Sequence, residues 1–390
     1  MLQLLEYLHD PELVARFQRR CGLFLVESVN GAPVNGEKPR GAPGGRWEHQ
    51  DSNSNYQYKQ SVCADKISRP QYEVRNWPLH FLFLLSASLG NEVFYITCLP
   101  CIHWNLDPFL CRRLINMWTL VMYIGQVMKD VLKLPRPTSP PVIKLETRVD
   151  AEYGLPSTHA MAATSISFTL LLSACSRVQF QFEIGLLMAV TLSSLVCLSR
   201  LYTGMHSVLD VLCGVLISAV LLLFTYPFWI SFDSFQLTSP FSPVVALTLL
   251  LFLSYTYPEL DHYSTTRGDT VTILGVCAGC SVGYWANEQL RQASEPQQTL
   301  PVPLPTLTAL TVALGICRAL IGIVALVGTR QIVKKLSLQM LYFWYMVPEN
   351  DENARMRKEI EVPSKFVTYT AVGLVNSLLV NRVFVLLGLL

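Results

Sequence analysis

Charge is scarce in this 390-residue chain: Asp, Glu, Lys and Arg together make up 15% of it, against roughly a quarter in soluble domains. The apolar bias excludes intrinsic disorder over most of the length and argues against a water-soluble enzyme with one buried core. No N-x-S/T acceptor occurs. No D-x-D pair occurs either, which weakens a magnesium–aspartate mechanism. There is no internal repeat, and no cleavable signal peptide opens the chain, so the first apolar segments must do the targeting. The net charge of +2 makes no demand for nucleic acid. Eleven cysteines are an odd number, and most lie inside apolar blocks. The two C-x-x-C spacings, Cys98 to Cys101 and Cys277 to Cys280, each sit in a hydrophobic segment. They read as small buried residues, not as a zinc or redox site.

What the chain has instead is 51% apolar residues, gathered in blocks of about 20, the length that crosses a bilayer core. The expected fold is an all-α polytopic membrane protein with about nine transmembrane helices, eight to ten, around a helical-bundle core. Three parts are expected: 1–76, 77–230 and 231–390, the last supplying additional transmembrane helices. In the first part, Asp10-Pro11 caps a helix in which Leu13, Val14 and Phe17 lie beside Arg16, Arg19 and Arg20. That pattern fits a basic amphipathic helix on a membrane surface or a helix that binds a partner. Residues 29–70, rich in Gly, Pro, Asn, Ser and Gln, read as a linker. The stretch 79–105 is interrupted at Asn91-Glu92 and reads as a re-entrant piece followed by a first span, or as two short spans. Further spans are expected near 114–132, 158–175, 182–199, 206–228, 242–257, 270–286, 306–328 and 366–388. Trp104, Trp118, Trp229 and Trp285 fall near their ends, as an aromatic belt requires. Between the last two spans, 329–365 is charged, with a short apolar island at 336–347.

Polar groups in or beside such spans are costly and therefore informative. Three clusters stand out. Lys129 sits in the last turns of an apolar helix, and Arg136 follows between Pro135 and Pro137, which stop that helix. Pro156-Ser157-Thr158-His159 opens the next apolar helix. Ser199-Arg200 is followed after five residues by His206 and after three more by Asp210, and the four-residue spacing puts His206 and Asp210 on one face of a helix start. Counting spans then brings the clusters together. One helix exits at Lys129, the next leaves from His159, and 182–199 returns, so Lys129, Arg136, His159, Arg200, His206 and Asp210 share one membrane face. Each has a bland reading by itself: a snorkelling lysine, as for Lys133, a capped histidine, a topology charge, a capping aspartate. Their joint spacing on one face favours a site.

The chemistry of that site is legible from residue types. Lys129, Arg136 and Arg200 can neutralise a phosphate dianion, with arginine offering a planar fork to its oxygens. The helix start at Ser157-Thr158 adds N–H donors. One histidine can attack phosphorus while the other protonates the departing alkoxide, and an aspartate can fix the tautomer of the first. This constellation needs neither metal nor cofactor. Cys63-x5-Arg69 matches the bare spacing of a cysteine phosphatase loop but lacks the preceding His and the glycines.

The three clusters together resemble the signature of the type-2 phosphatidic-acid phosphatase (lipid phosphate phosphatase) superfamily: K-x6-RP, PSGH and SR-x5-H-x3-D. Thr158, where the general pattern has Gly, resembles the PSTH of its sphingosine-1-phosphate phosphatase branch. Gly90–Thr97, Pro137–Lys144, Glu152–Ala162 and Leu198–Asp210 are similar to that branch as well, as are Glu361-Val-Pro and Phe366–Thr370; the likeness covers nearly all of 77–390. The resemblance implies His206 as nucleophile through a phosphohistidine, Asp210 as its orienter, and His159 as acid and then base. It implies Lys129, Arg136, Ser157, Arg200 and the Thr158 amide as phosphate holders, with no metal. The implied substrates are sphingosine 1-phosphate and its dihydro form, at the endoplasmic reticulum membrane with a luminal site. The extra β-carbon of Thr158 is expected to narrow the approach of the phosphate. Charge leaves the side of the membrane open. Lys133, Lys144 and Arg148 on the catalytic side balance Arg112, Arg113 and Arg177 opposite, while the span count puts 329–365 on the catalytic side, which favours a cytosolic site. Competing functions are a phosphatase for another lipid, polyprenyl or sugar phosphate, a transporter, and a catalytically dead scaffold. Transporters place polar groups near midplane, whereas these lie at helix ends.

Overall fold

A computed structural model describes residues 2–26, 72–90, 92–146, 152–260, 263–291, 302–303, 308–348 and 352–389. The expected linker 29–70 and the Cys63 to Arg69 spacing lie outside the described residues. The chain is mostly helical. In order the helices are α1 (Leu2–His9), α2 (Pro11–Arg20), α3 (Trp77–Leu89), α4 (Glu92–Asn105), α5 (Pro108–Leu132), α6 (Thr158–Ala174), α7 (Phe182–Tyr202), α8 (Val208–Thr225), α9 (Trp229–Thr238), α10 (Ser242–Tyr255), α11 (Thr265–Arg291), α12 (Ala309–Trp344), α13 (Glu352–Met356), α14 (Lys358–Leu374) and α15 (Val380–Leu386). A π-helical turn, Val375–Leu379, joins the last two. Two minor ladders depart from a purely helical fold: Leu23–Leu25 pairs antiparallel with Tyr72–Val74, and Val178–Gln179 pairs parallel with Val302–Pro303.

Local sequence sets the helix ends that matter for the site. Asp107 accepts from the Phe109 N–H, and Pro108 follows at the first helical position, so α5 starts there. Lys133 closes α5 in the left-handed conformation, φ 51°. Ser157 caps α6. Ser207 and Asp210 cap α8 reciprocally, each side chain accepting from the other's backbone N–H.

Packing is that of a membrane protein. Leu187 and Met188 on α7, Leu223 and Phe224 on α8 and Val324 on α12 point outward, while polar side chains turn inward. Thr164 and Ser193 bond across α6 and α7 at 2.8 Å, and Ser218 on α8 donates to the Met161 carbonyl at 3.0 Å. Helices α11 and α14 touch backbone to backbone. A Cβ on Gly279 would lie 2.0 Å from the Thr370 carbonyl oxygen, so only glycine fits.

By length and apolar composition, four helical stretches among the described residues can cross a bilayer: Phe182–Tyr202, Val208–Thr238, Ala309–Trp344 and Lys358–Leu386. The α3–α4 pair makes a fifth if its two arms, bent by 68°, form one pass. Helices α5, α6 and α11 fall outside that standard, and α10 is short, at 14 residues. Two expectations need correction. The island at 336–347 is no separate piece; α12 runs unbroken for 36 residues. At 1.5 Å per residue it is about 54 Å long, so it outreaches a ~30 Å hydrocarbon core. Nor is α2 a bare surface helix. Val14 and Ala15 are buried, and Val14 belongs to a cluster with Cys197 and Leu201 of α7. Its Gln18 is 1% exposed, donates to the Ile143 and Tyr202 carbonyls at 2.7 and 2.9 Å, and accepts from the Ile143 N–H. The partner of α2 is thus the chain's own loop after α5.

Candidate active site

The site forms where α5, α6, α7 and α8 end on one face. Lys129, in the last turn of α5, is 1% exposed; its Nζ donates to Thr158 Oγ1 at 3.1 Å and pairs with Glu152 at 3.5 Å. Beyond α5 the chain runs extended through Pro135 and Pro137. The Gly154 N–H donates to the Leu134 carbonyl at 2.8 Å, which lays the returning strand of loop beside Arg136. Arg136 then donates through Nε to the Glu152 carbonyl at 2.9 Å, and its Nη2 meets the Glu152 carboxylate at 3.2 Å. Arg136 also donates to the Met205 carbonyl at 3.4 Å, which brings the first cluster against the third.

The second cluster is held by backbone geometry. The Ser157 N–H donates to the Asp210 carbonyl at 3.0 Å, and Ser157 Oγ accepts from the Ala160 N–H. Ser157 is fully buried and serves α6 as its cap. The Thr158 side chain is also engaged: its hydroxyl accepts from Lys129, and its methyl stands against α5 at Gly125. The expected narrowing by its β-carbon therefore comes with a second effect, the anchoring of Lys129. His159 is half-buried, and its Nδ1 has no hydrogen-bond partner among the described residues. The charges of Arg200, Lys129 and Arg136 and the ring of His206 all bear on it.

The third cluster needs a tight reversal. Arg200, 1% exposed at the end of α7, pairs with Glu146 at 3.3 Å, while its Nη2 is buried without a partner among the described residues. Gly204 follows with φ +71°, and a Cβ there would lie 2.2 Å from the Ile143 carbonyl oxygen. That turn drops His206 into the loop before α8, not onto the helix as its spacing from Asp210 had implied. Asp210 Oδ2 accepts from the Ser207 N–H at 2.7 Å, and His206 Nδ1 stands 3.6 Å from the same oxygen. The carboxylate is thus first a helix cap and only then a neighbour of the imidazole. Burial pushes the His206 ring down to about 4; Asp210 opposes the shift, and the charges of Arg136 and Lys129 add to it. At neutral pH the ring is uncharged, the state a nucleophile needs.

All eight residues expected from sequence are thus in one place. Others were not foreseen. Glu152 and Glu146 are the present counterions of the three cations. Asp130, beside Lys129, accepts from Tyr257 and Thr266, each at 2.7 Å, which ties the end of α5 to α11. Gly204 had a signal in its place within a tight loop; Glu146, Glu152 and Gln18 had none, since acids and amides are ordinary in polar segments. Among the described residues no group of three or more His, Cys, Asp or Glu side chains is placed to hold a metal ion. Three cations around two imidazoles can bind a dianionic phosphoryl group and pass it between an alcohol, a ring nitrogen and water.

Comparison with known proteins agrees in kind. Residues 111–232 match the PAP2 superfamily. The chain is 51% identical to sphingosine-1-phosphate phosphatase 2 of Homo sapiens, with both chains covered in full. It is 38% identical to sphingosine-1-phosphate phosphatase 1 of Rattus norvegicus, over 98% of this chain and 97% of that one. A dihydrosphingosine 1-phosphate phosphatase of Schizosaccharomyces pombe is 31% identical over 54% of this chain and 53% of its own. No solved structure matches.

Proposed function

The chain belongs to the PAP2 superfamily and, within it, to the sphingosine-1-phosphate phosphatases, and from that premise we propose that it hydrolyses sphingosine 1-phosphate and dihydrosphingosine 1-phosphate to the sphingoid base and phosphate. The observation that carries this reading is the convergence of Lys129, Arg136 and Arg200 on one buried pocket with His159 and His206. The cations hold the non-bridging oxygens. His206 attacks phosphorus through Nε2, because Nδ1 faces Asp210; an N–P bond forms as the P–O bond to the lipid breaks. His159 delivers its proton to the leaving alkoxide, then takes one from the water that cleaves the phosphohistidine. Thr158 holds Lys129 in place, and Ser157 and Asp210 hold the two helix starts. No metal or cofactor enters these steps.

The reading includes nine passes in the endoplasmic reticulum membrane, with the catalytic end luminal. Alternation supports the count: taking α3–α4 as one pass, α5, α6, α7, α8, α10, α11, α12 and α14–α15 alternate between the catalytic end and the other. The luminal side follows the family resemblance. Arg330, Lys334 and Lys335, near the catalytic end of α12, run against the charge rule. An N-x-T sequon placed in the N-terminal segment tests the side, since the native sequence has none. Glycosylation supports a luminal catalytic end, and its absence supports a cytosolic one. The activity is tested by phosphate release from sphingosine 1-phosphate under excess chelator, beside His206→Ala, with phosphatidic acid and glucose 6-phosphate in parallel. Chelator-resistant release that prefers the sphingoid substrate and vanishes in the variant is expected. Release only from another phosphate would move the chain to a sibling specificity, and none at all would favour a transporter or scaffold.

A further inference from the structure

The phosphate cage holds carboxylates where phosphate oxygens belong. Glu152 Oε2 lies 3.5 Å from Lys129 Nζ and 3.2 Å from Arg136 Nη2, and Glu146 Oε1 lies 3.3 Å from Arg200 Nη1. Arg200 Nη2 stays buried and, among the described residues, unpartnered beside them. A bound phosphate must take over these cations, and each displaced carboxylate then needs a new partner. The two carboxylates are not equivalent. The Glu146 side chain is 31% exposed and can turn to water. The Glu152 side chain is 18% exposed and is held at its other oxygen by Thr265 of α11, at 3.4 Å. Its surroundings are acidic. Asp269 and Glu361 stand close enough to interact with it or with each other, and Lys365 is committed to Glu361 at 3.1 Å. Among the described residues Glu152 has no ion-pair partner besides Lys129 and Arg136.

We infer that Glu152 receives the ammonium group of the substrate, so that the site recognises a zwitterion by exchanging ion pairs. The inference rests on the proposed sphingoid phosphate reading and adds to it the residue that selects the amine. In a sphingoid 1-phosphate the ammonium sits on the carbon next to the one bearing the phosphate. As the phosphate displaces Glu152 from Lys129 and Arg136, the ammonium arrives within reach of the freed carboxylate and neutralises it. A simple alkyl phosphate brings no such charge. It leaves Glu152 half-buried, unpaired and repelling the phosphate.

The test compares sphingosine 1-phosphate with octadecyl phosphate, which lacks the amine, in wild type, Glu152→Gln and Glu146→Gln. Wild type should favour the amine substrate in kcat/KM. Glu152→Gln should lower kcat/KM for sphingosine 1-phosphate roughly tenfold or more, the loss expected of a charged hydrogen bond, while turnover of octadecyl phosphate rises. Glu146→Gln should leave the ratio between the substrates near its wild-type value. Equal turnover of both substrates by wild type would overturn the inference with no variant needed. So would a parallel change for both substrates in Glu152→Gln, or a collapse of the ratio in Glu146→Gln instead. Wild type inactive on both substrates would instead remove the phosphatase reading on which the inference stands.

Discussion

The candidate site and the opposite end of the bundle use arginine in different ways. At the end away from the catalytic residues, Arg112 and Arg113 converge on one carboxylate, Asp233, at 3.0 and 2.7 Å, and Arg177 meets Asp107 at 2.6 Å. All three guanidinium groups also cover the Phe109 ring. At the candidate site the ion pairs of Lys129, Arg136 and Arg200 are longer, from 3.2 to 3.5 Å, and Arg200, His159 and His206 keep buried nitrogens without hydrogen-bond partners among the described residues. Short, mutually satisfied pairs hold helices together. Long, incompletely satisfied ones are arranged for something that is not part of the chain.

If that contrast is right, variants at the two ends should fail in different ways. The largest effect belongs to His206→Ala, which should cut phosphate release at least about a thousandfold while leaving the thermal unfolding curve close to wild type. Arg200→Lys comes next. It keeps the charge and loses the fork, so kcat/KM should fall roughly a hundredfold, read by steady-state kinetics on detergent-solubilised protein. Asp233→Asn should do the reverse, costing about 3 kcal/mol of stability because two guanidinium groups lose their anion, with activity per folded molecule retained. Fluorescence-detected thermal unfolding beside active-site titration separates the two quantities. Thr158→Gly removes the acceptor for Lys129 and should lower kcat/KM about tenfold, with Thr158→Ser restoring most of it; if the β-carbon also narrows the site, the Gly variant alone gains activity on phosphatidic acid. The smallest effect is in pH. Because the His206 pKa is lowered to about 4, protonation and loss of the nucleophile come at a lower pH than for an ordinary histidine near 6.5. Once the substrate's own ionisation near 6 is divided out, kcat/KM should hold down to about pH 5. An acid limb centred near 6.5 would mean that His206 is not held neutral by burial.

The site was legible in the sequence because its members are anomalous where they stand. Lys129, Arg200, His159 and Asp210 interrupt or open apolar helices, Pro135 and Pro137 fix Arg136 outside one, and alternation of spans places them on a common face with no tertiary information. The apolar helices were legible from their runs of apolar residues, with errors at their ends, the largest in α12, which runs on to Trp344. What escaped is what the surroundings make ordinary. Glu146 and Glu152 lie in a polar loop where an acid raises no question. Gln18 acts across 125 residues on Ile143, a contact no local pattern encodes. The four-residue spacing of His206 and Asp210 suggested a shared helical face, but capping by Ser207 starts α8 two residues later. The charge run after 328 suggested that the span ends there, yet Arg330, Lys334 and Lys335 are good helix formers and α12 continues through them.

Turnover through a phosphohistidine requires that His206 carry the phosphoryl group. Rapid quenching of the enzyme after mixing with radiolabelled sphingosine 1-phosphate, followed by peptide mapping, tests it directly. An acid-labile label is expected on the peptide containing His206, absent in His206→Ala and accumulating in His159→Ala, where hydrolysis of the intermediate is slowed. Label on any other residue, or phosphate release that continues in His206→Ala, would contradict it.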